Sequence, residues 1–280
     1  QELYGREAAR MKLGWVHDFN MQMRPGGAQI QDYLYMQAVP PNVNIVECLP
    51  GKVDTTCDAY IVARCTTFSD AEQEQLLGTR FVRLEPDYFD VGNCRRAGLF
   101  VAKAQRACFL SPLHYEEFCR RHWLEAGDFK AKVVFLPSPL ALPEPSSFLP
   151  DGHREGIFWL GEWQPHKGYD LVMEWAERGS TEVHFYGIGM DGMRDTKFCK
   201  FRGFVPWERV PELMGKYETW VHFPRQPEPL PRAMAEALLC GCEAKVAGRL
   251  GFESYGLPAG DVLKLCLAAP KLFWDEVTKL

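Results

Sequence analysis

A proline-rich stretch in the middle of the chain most constrains how it can fold. Residues 137–150 contain five prolines in fourteen residues. Proline interrupts helices and inner strands because it lacks a backbone N–H and has a fixed φ. On both sides of this stretch, apolar runs of strand length alternate with helical patterns. We therefore predict an α/β protein with two domains and mostly parallel sheets, joined by a stiff linker.

The predicted boundaries follow from the same patterns. We place the first domain at 1–140, the linker at 141–155, the second domain at 156–268 and a C-terminal helix within 269–280. The strands are predicted at 11–17, 44–48, 59–63, 80–84, 107–110, 133–136, 156–160, 182–186, 200–204, 219–223 and 243–247. Helices are predicted at 29–37, 69–77, 98–105, 112–122, 169–177, 210–216, after Glu228 and at 270–280. Ligands of parallel sheets bind beyond the carboxyl ends of the strands, so the expected site is a cleft between the domains.

Composition excludes several classes of protein. The 280 residues are 46% hydrophobic and carry a formal net charge of −5, so no general attraction to nucleic acid or an anionic membrane is expected. A local basic patch is left open by Arg95, Arg96, Lys103 and Arg106. No apolar run approaches the roughly 20 residues of a membrane span, and the polar first residues are unlike a signal peptide. We expect a cytoplasmic protein whose ten cysteines are reduced, mostly buried thiols.

Two glutamates flank the start of one predicted helix. Glu228 and Glu236 stand eight positions apart, with Pro231 suited to the first turn and Gly241 suited to follow the last. Glu228 would lie in the loop before the helix and Glu236 in its second turn. The helix is mostly apolar, so a carboxylate on it needs a partner or a ligand. The pair could accept hydrogen bonds from two places on a polyol. The alternative is a buried ion pair and a solvated loop glutamate.

Three loops of the second half follow predicted strands. The first carries Lys167 and Gly168 just before a helix, a placement that suits an anionic group, although a solvated loop lysine is the alternative. The second contains Gly187 and Gly189, which allow close approach of a ligand. A lone G-x-G is a weak signal, since the third glycine of a dinucleotide fingerprint is absent. The third loop leads from strand 219–223 to Glu228.

In this order the loops resemble the C-terminal half of GT-B glycosyltransferases of the retaining family 4 type (glycosyl transferases group 1). The similar stretches cover most of residues 156–248 and include an E-x7-E motif from Glu228 to Glu236. A weaker similarity extends upstream, where Gly26-Gly27-Ala-Gln resembles an early G-G-x-E loop. The other matching stretches are 161–170, 183–189, 201–205, 101–118 and 132–140.

The resemblance implies a GT-B fold, with two Rossmann-like domains facing a central cleft, and a role for each matching residue. Glu236 would accept from the ribose hydroxyls of a nucleotide, Glu228 would lie near the donor sugar, and Lys167 would neutralise the diphosphate. The remaining donor-site residues would be Gly26 and Gly27 at the diphosphate, Gly187 and Gly189 near the nucleotide, and Phe204 and Val205 at the base. In this family the C-terminal helix often packs back on the first domain, which Phe273 and Trp274 would allow; packing on its own domain is the alternative.

Departures from the family pattern concern the charges. Glu162 stands where the family usually has an arginine, and Arg225 or Arg232 is a candidate substitute. The family's first-domain histidine has no counterpart; residues 83–87 occupy that region, where Glu85 or Asp87 is a candidate catalytic group. His17 and His166 are further candidates near the cleft. The family needs no bound metal, because protein cations and helix N-termini stabilise the departing diphosphate.

We therefore predict a retaining, metal-independent glycosyltransferase that uses a UDP- or GDP-sugar donor, without a tightly bound cofactor. The compressed first half favours a large acceptor with a free hydroxyl, such as a glycan, a lipid-linked acceptor, a protein or a hydroxylated DNA base, although the net charge gives the last no support. The alternatives are a non-catalytic nucleotide-binding module of the same fold and a sugar-nucleotide epimerase or phosphorylase.

Overall fold

A computed structural model describes residues 10–20, 22, 26–85, 96–125, 127, 129–143 and 154–280. The chain divides into two compact units. One comprises residues 1–139 and 264–280, and the other comprises residues 140–263. Each unit contains one fully parallel sheet, of six and five strands respectively. The predicted α/β class with parallel sheets is confirmed.

The first unit has the strand order β2-β1-β3-β4-β5-β6. Its strands are β1 Met11–Val16, β2 Val43–Cys48, β3 Ala59–Val62, β4 Phe81–Leu84, β5 Arg106–Phe109 and β6 Val133–Phe135. Its described helices are α1 Gly27–Gln37, α2 Asp70–Leu77, α3 Ala97–Lys103 and α4 Pro112–His122. Ser69 caps α2 in a capping box with Glu72. Apolar side chains from both faces of the sheet form two buried clusters.

The second unit has the order β11-β10-β7-β8-β9. Its strands are β7 Ile157–Glu162, β8 Val183–Ile188, β9 Cys199–Gly203, β10 Thr219–His222 and β11 Glu243–Val246, and its helices are α5 Tyr169–Gly179, α6 Val210–Met214 and α7 Arg232–Leu239. Pro231 is the residue immediately before α7 rather than part of its first turn. Gly241 follows the end of this helix with φ +82°, a conformation that favours glycine.

The last helix was the least accurate prediction. It begins well before residue 270: α8 spans Ala259–Val277, and Pro270 lies inside it. Proline usually breaks a helix, but here a continuous apolar stripe passes through it, and packing of that stripe outweighs the local cost. The buried stripe consists of Val262, Cys266, Ala269, Phe273, Trp274 and Val277.

The end of α8 packs within the first unit. The Trp274 indole N–H donates to the carbonyl oxygen of Tyr35 at 2.8 Å, and the Phe273 ring lies 4.4 Å from the Tyr35 ring between centroids. Both side chains belong to the apolar cluster beneath β1 and β3. Residues 264–280 accordingly belong to the first compact unit.

Other sequence-based expectations can be compared with the described residues. Their nine cysteines are all unpaired, and every one except Cys57 is buried. No helix among these residues is long and apolar enough to cross a membrane. Of the residues of the basic patch considered above, Arg96 pairs with Glu74 at 2.8 Å and Arg106 with Glu276 at 3.1 Å, and Arg95 lies outside the described residues.

Candidate functional site

The second sheet has a topological switch point between β7 and β10. In its strand order the chain leaves β7 in one direction toward β8 and β9 and in the other toward β10 and β11. Such a switch point is where open parallel sheets bind ligands. Pairing between β7 and β10 is confined to Ile157–Thr219 and Phe158–Trp220. Beyond it, the carboxyl-terminal residues of both strands are not paired with each other.

The loop after β7 is shaped by a short 310 helix and a glycine. The 310 helix spans Pro165–Lys167, and Gly168 follows with φ +65° as the N-cap of α5. A Cβ on Gly168 would lie 1.8 Å from the carbonyl oxygen of Phe223, so only glycine permits this approach. The sequence K-G therefore places Lys167 directly against the loop that follows β10.

Two further contacts join the same loops. The Arg225 backbone N–H donates to the carbonyl oxygen of His166 at 3.0 Å, and the Arg225 guanidinium forms an ion pair with Asp170 in the first turn of α5. This contact lowers the pKa of Asp170. Arg225, predicted as a substitute cation, is thus engaged between the loops.

Glu228 is held by its backbone and by its side chain. Its N–H donates to the carbonyl oxygen of Arg249 at 3.0 Å, and its own carbonyl oxygen accepts from the Gly251 N–H at 2.8 Å. The carboxylate is only 8% exposed, and its Oε1 lies 2.8 Å from Lys167 Nζ. The same oxygen lies 3.3 Å from Nε2 of the buried His222. Lys167 and Glu228 are brought together as a partly buried ion pair.

The environment of Glu228 keeps it ionised. Burial by itself would raise its pKa, but the Lys167 ammonium and the His222 ring outweigh burial and hold the pKa far below its usual range. Both contacts favour the charged form of the carboxylate, which accepts hydrogen bonds.

Glu236 has a different environment, although it belongs to the same motif. It lies in the second turn of α7, and its Oε1 is 3.0 Å from Arg232 Nε, four residues earlier. Its side chain is 20% exposed. Burial raises its pKa despite the attraction of Arg232. The predicted Arg232 is thus a neighbour of Glu236, and the ion-pair partner of Glu236 differs from those of Glu228.

The glycines after β8 have positive φ, +142° at Gly187 and +87° at Gly189. A Cβ on Gly187 would lie 1.6 Å from the Gly161 carbonyl oxygen, and one on Gly189 would lie 3.3 Å from the Trp163 side chain. Both glycines therefore have a structural reason to be glycine, independent of a ligand. Trp163 itself stacks on Tyr169 with 3.7 Å between ring centroids.

Phe204 and Val205 lie after β9, beside a cavity. Phe204 is 55% exposed. The cavity is about 150 Å³ in volume, and the residues that line it are Phe204, Val205, Pro206, Arg209, Glu212, Leu213 and Lys216. Its lining combines apolar side chains with the charged side chains of Arg209, Glu212 and Lys216.

The remaining candidate residues belong to the first unit and are described there. Gly26 is the N-cap of α1, and Gly27 is the first residue of that helix. Glu85 follows β4, is fully buried, and accepts from Arg83 Nε at 2.5 Å. The structure thus gives Glu85 a buried ion pair, and its catalytic role stays a prediction. Asp87 lies outside the described residues.

His17 is also buried in the first unit. Its Nδ1 lies 3.5 Å from Asp32 Oδ2, and its Nε2 lies 3.6 Å from Glu47 Oε1. His166 and Glu162 stand in the loop after β7, where the Glu162 carboxylate accepts from Gln164 Nε2 at 3.4 Å. Within the described residues, no group of three or more His, Cys, Asp or Glu side chains is placed to hold a metal ion.

Sequence reasoning missed His222 and Asp170. His222 is the last residue of β10, and its position at the carboxyl end of a strand is the signal that could identify it. The pattern of that segment by itself predicts only an apolar strand. Asp170 lies within the matching stretch 161–170, which does not single it out. Its partnership with Arg225 depends on the approach of two loops 55 residues apart, which a sequence pattern alone does not encode.

The whole chain is similar to several solved glycosyltransferases. Anabaena HepE in complex with UDP-glucose aligns with a TM-score of 0.64 at 16% identity, covering 95% of this chain and 91% of that one. Sucrose-phosphate synthase from Thermosynechococcus elongatus gives 0.62 at 13%, covering 96% and 92%. An alpha-glucosyltransferase in complex with UDP-glucose and DNA containing an abasic site gives 0.54 at 11%, covering 96% and 93%.

These similarities establish the fold. The structural neighbours are GT-B glycosyltransferases, so the predicted GT-B fold is confirmed. At identities of 11–16% the likeness does not extend to an activity. The sequence matches no protein-family model and no curated protein.

Proposed function

We propose that this protein is a retaining glycosyltransferase of the family 4 type that transfers a sugar from a UDP- or GDP-sugar to an acceptor hydroxyl. The observation that carries the proposal is the meeting of Lys167 and Glu228 at 2.8 Å at the switch point of the second sheet. The GT-B fold and neighbours solved with UDP-glucose support it. No tightly bound cofactor is proposed.

Lys167 is assigned to the diphosphate. In the reaction the bond between the anomeric carbon and the phosphate oxygen breaks, the electron pair leaves with the nucleoside diphosphate, and the acceptor oxygen bonds to the same carbon. Negative charge grows on the leaving phosphate, and a nearby ammonium stabilises it. Lysine has three N–H donors on a flexible side chain, so the Lys167 ammonium can turn toward a phosphate oxygen when the donor binds.

The two motif glutamates have separate roles. Glu228, whose pKa is lowered by Lys167 and His222, is assigned to hydroxyls of the donor sugar, and Glu236 to the ribose hydroxyls. The raised pKa of Glu236 fits this assignment, because a buried carboxylate that lacks enough donors gains them from a ribose. Arg232 is assigned as the second cation in preference to Arg225, because its buried Nη1 has no hydrogen-bond partner among the described residues, whereas the Arg225 guanidinium pairs with Asp170.

The other donor-site residues are assigned by position. The cavity beside Phe204 and Val205 would take the base, and Gly187 and Gly189 would border the nucleotide. The first turn of α1, which begins at Gly27, would present backbone N–H groups to the diphosphate.

Transfer with retention of the anomeric configuration does not require a protein side chain to act as the base. In front-face attack the departing phosphate oxygen takes the acceptor proton, which leaves the anomeric configuration unchanged and balances the step. Glu85 stays a candidate on the acceptor side. The acceptor is proposed to be large, and a hydroxylated DNA base is one member of the panel to be tested.

The test is a donor panel of UDP-, GDP- and ADP-sugars with glycan, lipid-linked, protein and hydroxymethylated DNA acceptors. We expect nucleoside diphosphate release that depends on one donor and one acceptor, with the donor's anomeric configuration kept in the product, as read by NMR. Glu236→Ala should weaken nucleotide binding, while Lys271→Ala, which breaks an exposed pair with Asp275, should not. Nucleotide binding without turnover would favour a non-catalytic module, and interconversion of the donor sugar would favour an epimerase.

A further inference from the structure

His222 has an unusual environment for a core histidine. It ends β10, its side chain is 4% exposed, and its ring stacks on Trp220 with 5.2 Å between centroids. Neither ring nitrogen forms a well-aligned hydrogen bond with another described residue, and Nε2 has a 3.3 Å contact with Glu228 Oε1. Buried polar groups are normally hydrogen-bonded, and an exception calls for an explanation.

The polar group that His222 faces is Glu228. Its Nε2 lies 3.3 Å from Glu228 Oε1, the oxygen that Lys167 Nζ contacts at 2.8 Å. Two nitrogen groups therefore converge on one carboxylate oxygen from different elements, β10 and the loop after β7. Among the described residues, no ion pair or hydrogen bond to Oε2 is found, so this is the oxygen available to a ligand.

A phosphate bound at this site would draw the Lys167 ammonium away from Glu228 Oε1 and leave His222 Nε2 as the remaining contact of that oxygen. The Glu228 backbone is held by hydrogen bonds with Arg249 and Gly251, so its Cα stays in place if the Lys167 ammonium turns toward a phosphate, and the contact between the two side chains weakens. A charge that is 8% exposed is costly to leave without compensation. His222 is the second group that contacts the oxygen, and it lies on a strand that does not depend on the ligand.

We propose that His222 is a positioning residue for the donor sugar: it holds Glu228 Oε1 when Lys167 engages the diphosphate, and so keeps Oε2 directed at the sugar hydroxyls. This inference rests on the proposed function. It predicts that His222 contributes to recognition of the sugar and not of the nucleotide, because the nucleotide contacts belong to Glu236 and the residues after β9.

The experiment compares two ligands in three proteins. By calorimetry, Kd is measured for UDP and UDP-glucose, and, where wild type binds neither, for GDP and GDP-mannose. His222→Phe keeps the ring that stacks on Trp220 and removes the nitrogens, whereas His222→Gln keeps a donor. We expect His222→Phe to bind the free diphosphate within about twofold of wild type and to lower the ratio Kd(diphosphate)/Kd(sugar nucleotide) about tenfold, the loss of one hydrogen bond to a charged group. His222→Gln should recover part of that ratio.

An unchanged ratio in His222→Phe overturns the inference, and so does an equal loss of both ligands, which would indicate a purely structural role. If the Phe variant does not fold, His222→Gln is combined with Glu228→Gln: non-additive effects on the ratio support the inference, and additive effects overturn it. Wild-type protein that binds no nucleotide overturns the proposed function itself, which is distinguishable from a wild type that binds and a ratio that His222 does not affect.

Discussion

The two sheets differ in how far the two strands at the switch point are paired with each other. In the first sheet β1 and β3 stay paired to their last residues, Val16 and Val62. In the second, pairing of β7 and β10 ends at Phe158 and Trp220. We call the carboxyl ends of the two strands at a switch point an edge. At the first edge the two strands are joined by backbone hydrogen bonds to their ends. At the second edge they are not, and side chains and loops meet there instead.

The carboxylates at the two edges, Asp18 and Glu228, also differ in how completely their oxygens are hydrogen-bonded. Asp18, after β1, accepts from the backbone N–H and the hydroxyl of both Thr66 and Thr67. Each of its oxygens is therefore satisfied, and its role is structural. Glu228 shares one oxygen between Lys167 and His222. A carboxylate becomes a candidate binding group when its environment keeps it charged but leaves one oxygen available.

The largest expected effect tests whether the second edge depends on the approach of its loops. Gly168→Ala would place a Cβ 1.8 Å from the Phe223 carbonyl oxygen, and we expect it to destabilise the protein by more than about 4 kcal/mol. Gly256→Ala is the matched control, because its φ is +63° and nothing lies near its Cβ; its cost should be about 1 kcal/mol. Urea unfolding measures both, and equal losses would contradict the packed-loop explanation.

The next test concerns the first edge. Asp18→Ala removes the acceptors of two threonines and leaves their backbone N–H groups unpaired, which should cost about 2–3 kcal/mol of unfolding free energy. Because we assign Asp18 a structural role, the folded variant should bind UDP-glucose as wild type does, and calorimetry after correction for the folded fraction checks this. A selective loss of affinity would place a ligand at the first edge as well.

A third test uses pH to isolate Glu228. Its folded pKa lies below the ordinary 4.5, so its contribution to stability is fully present above about pH 4.5 and is lost as the pH falls through the folded value. Glu228→Gln should therefore be less stable than wild type by on the order of 2 kcal/mol at neutral pH. The difference should shrink below pH 4.5 in urea titrations; a constant difference would mean that ionisation is not the cause.

The smallest effect is expected at Glu236. Its folded pKa is raised by burial, so its ionisation destabilises the fold as the pH rises through that value. Glu236→Gln should leave stability at neutral pH equal to wild type or higher by less than about 1 kcal/mol. Nucleotide binding should nevertheless weaken. A clear loss of stability would show that the ion pair with Arg232 outweighs burial.

How far the sequence predicts this molecule depends on the range of the interactions. Strand and helix periodicity places nearly all elements within one to three residues, because those patterns are local. Pro270 shows where a local rule fails: the stripe from Val262 to Val277 packs strongly enough to carry a helix through it. The mid-chain linker prediction falls largely outside the described residues.

The residues of the candidate site also divide into those that local patterns predict and those that depend on tertiary contacts. Lys167, Glu228 and Glu236 are found from short motifs, since their spacing along the chain reflects loop and helix geometry. The approach of His222 and Lys167 to one oxygen of Glu228 is a tertiary fact, as is the diversion of Arg225 to Asp170. Glu85 illustrates the converse: its buried partner Arg83 is two residues away, yet burial cannot be read from that spacing.

The central claim, that the second edge binds a nucleotide sugar through Lys167, is tested most directly by calorimetry with the donor that wild type prefers. Lys167→Met should weaken binding by roughly 10- to 100-fold, as expected for loss of a hydrogen bond to a charged group. Lys271→Ala, which breaks an exposed lysine pair, should bind as wild type does. Equal affinity of Lys167→Met and wild type would contradict the account.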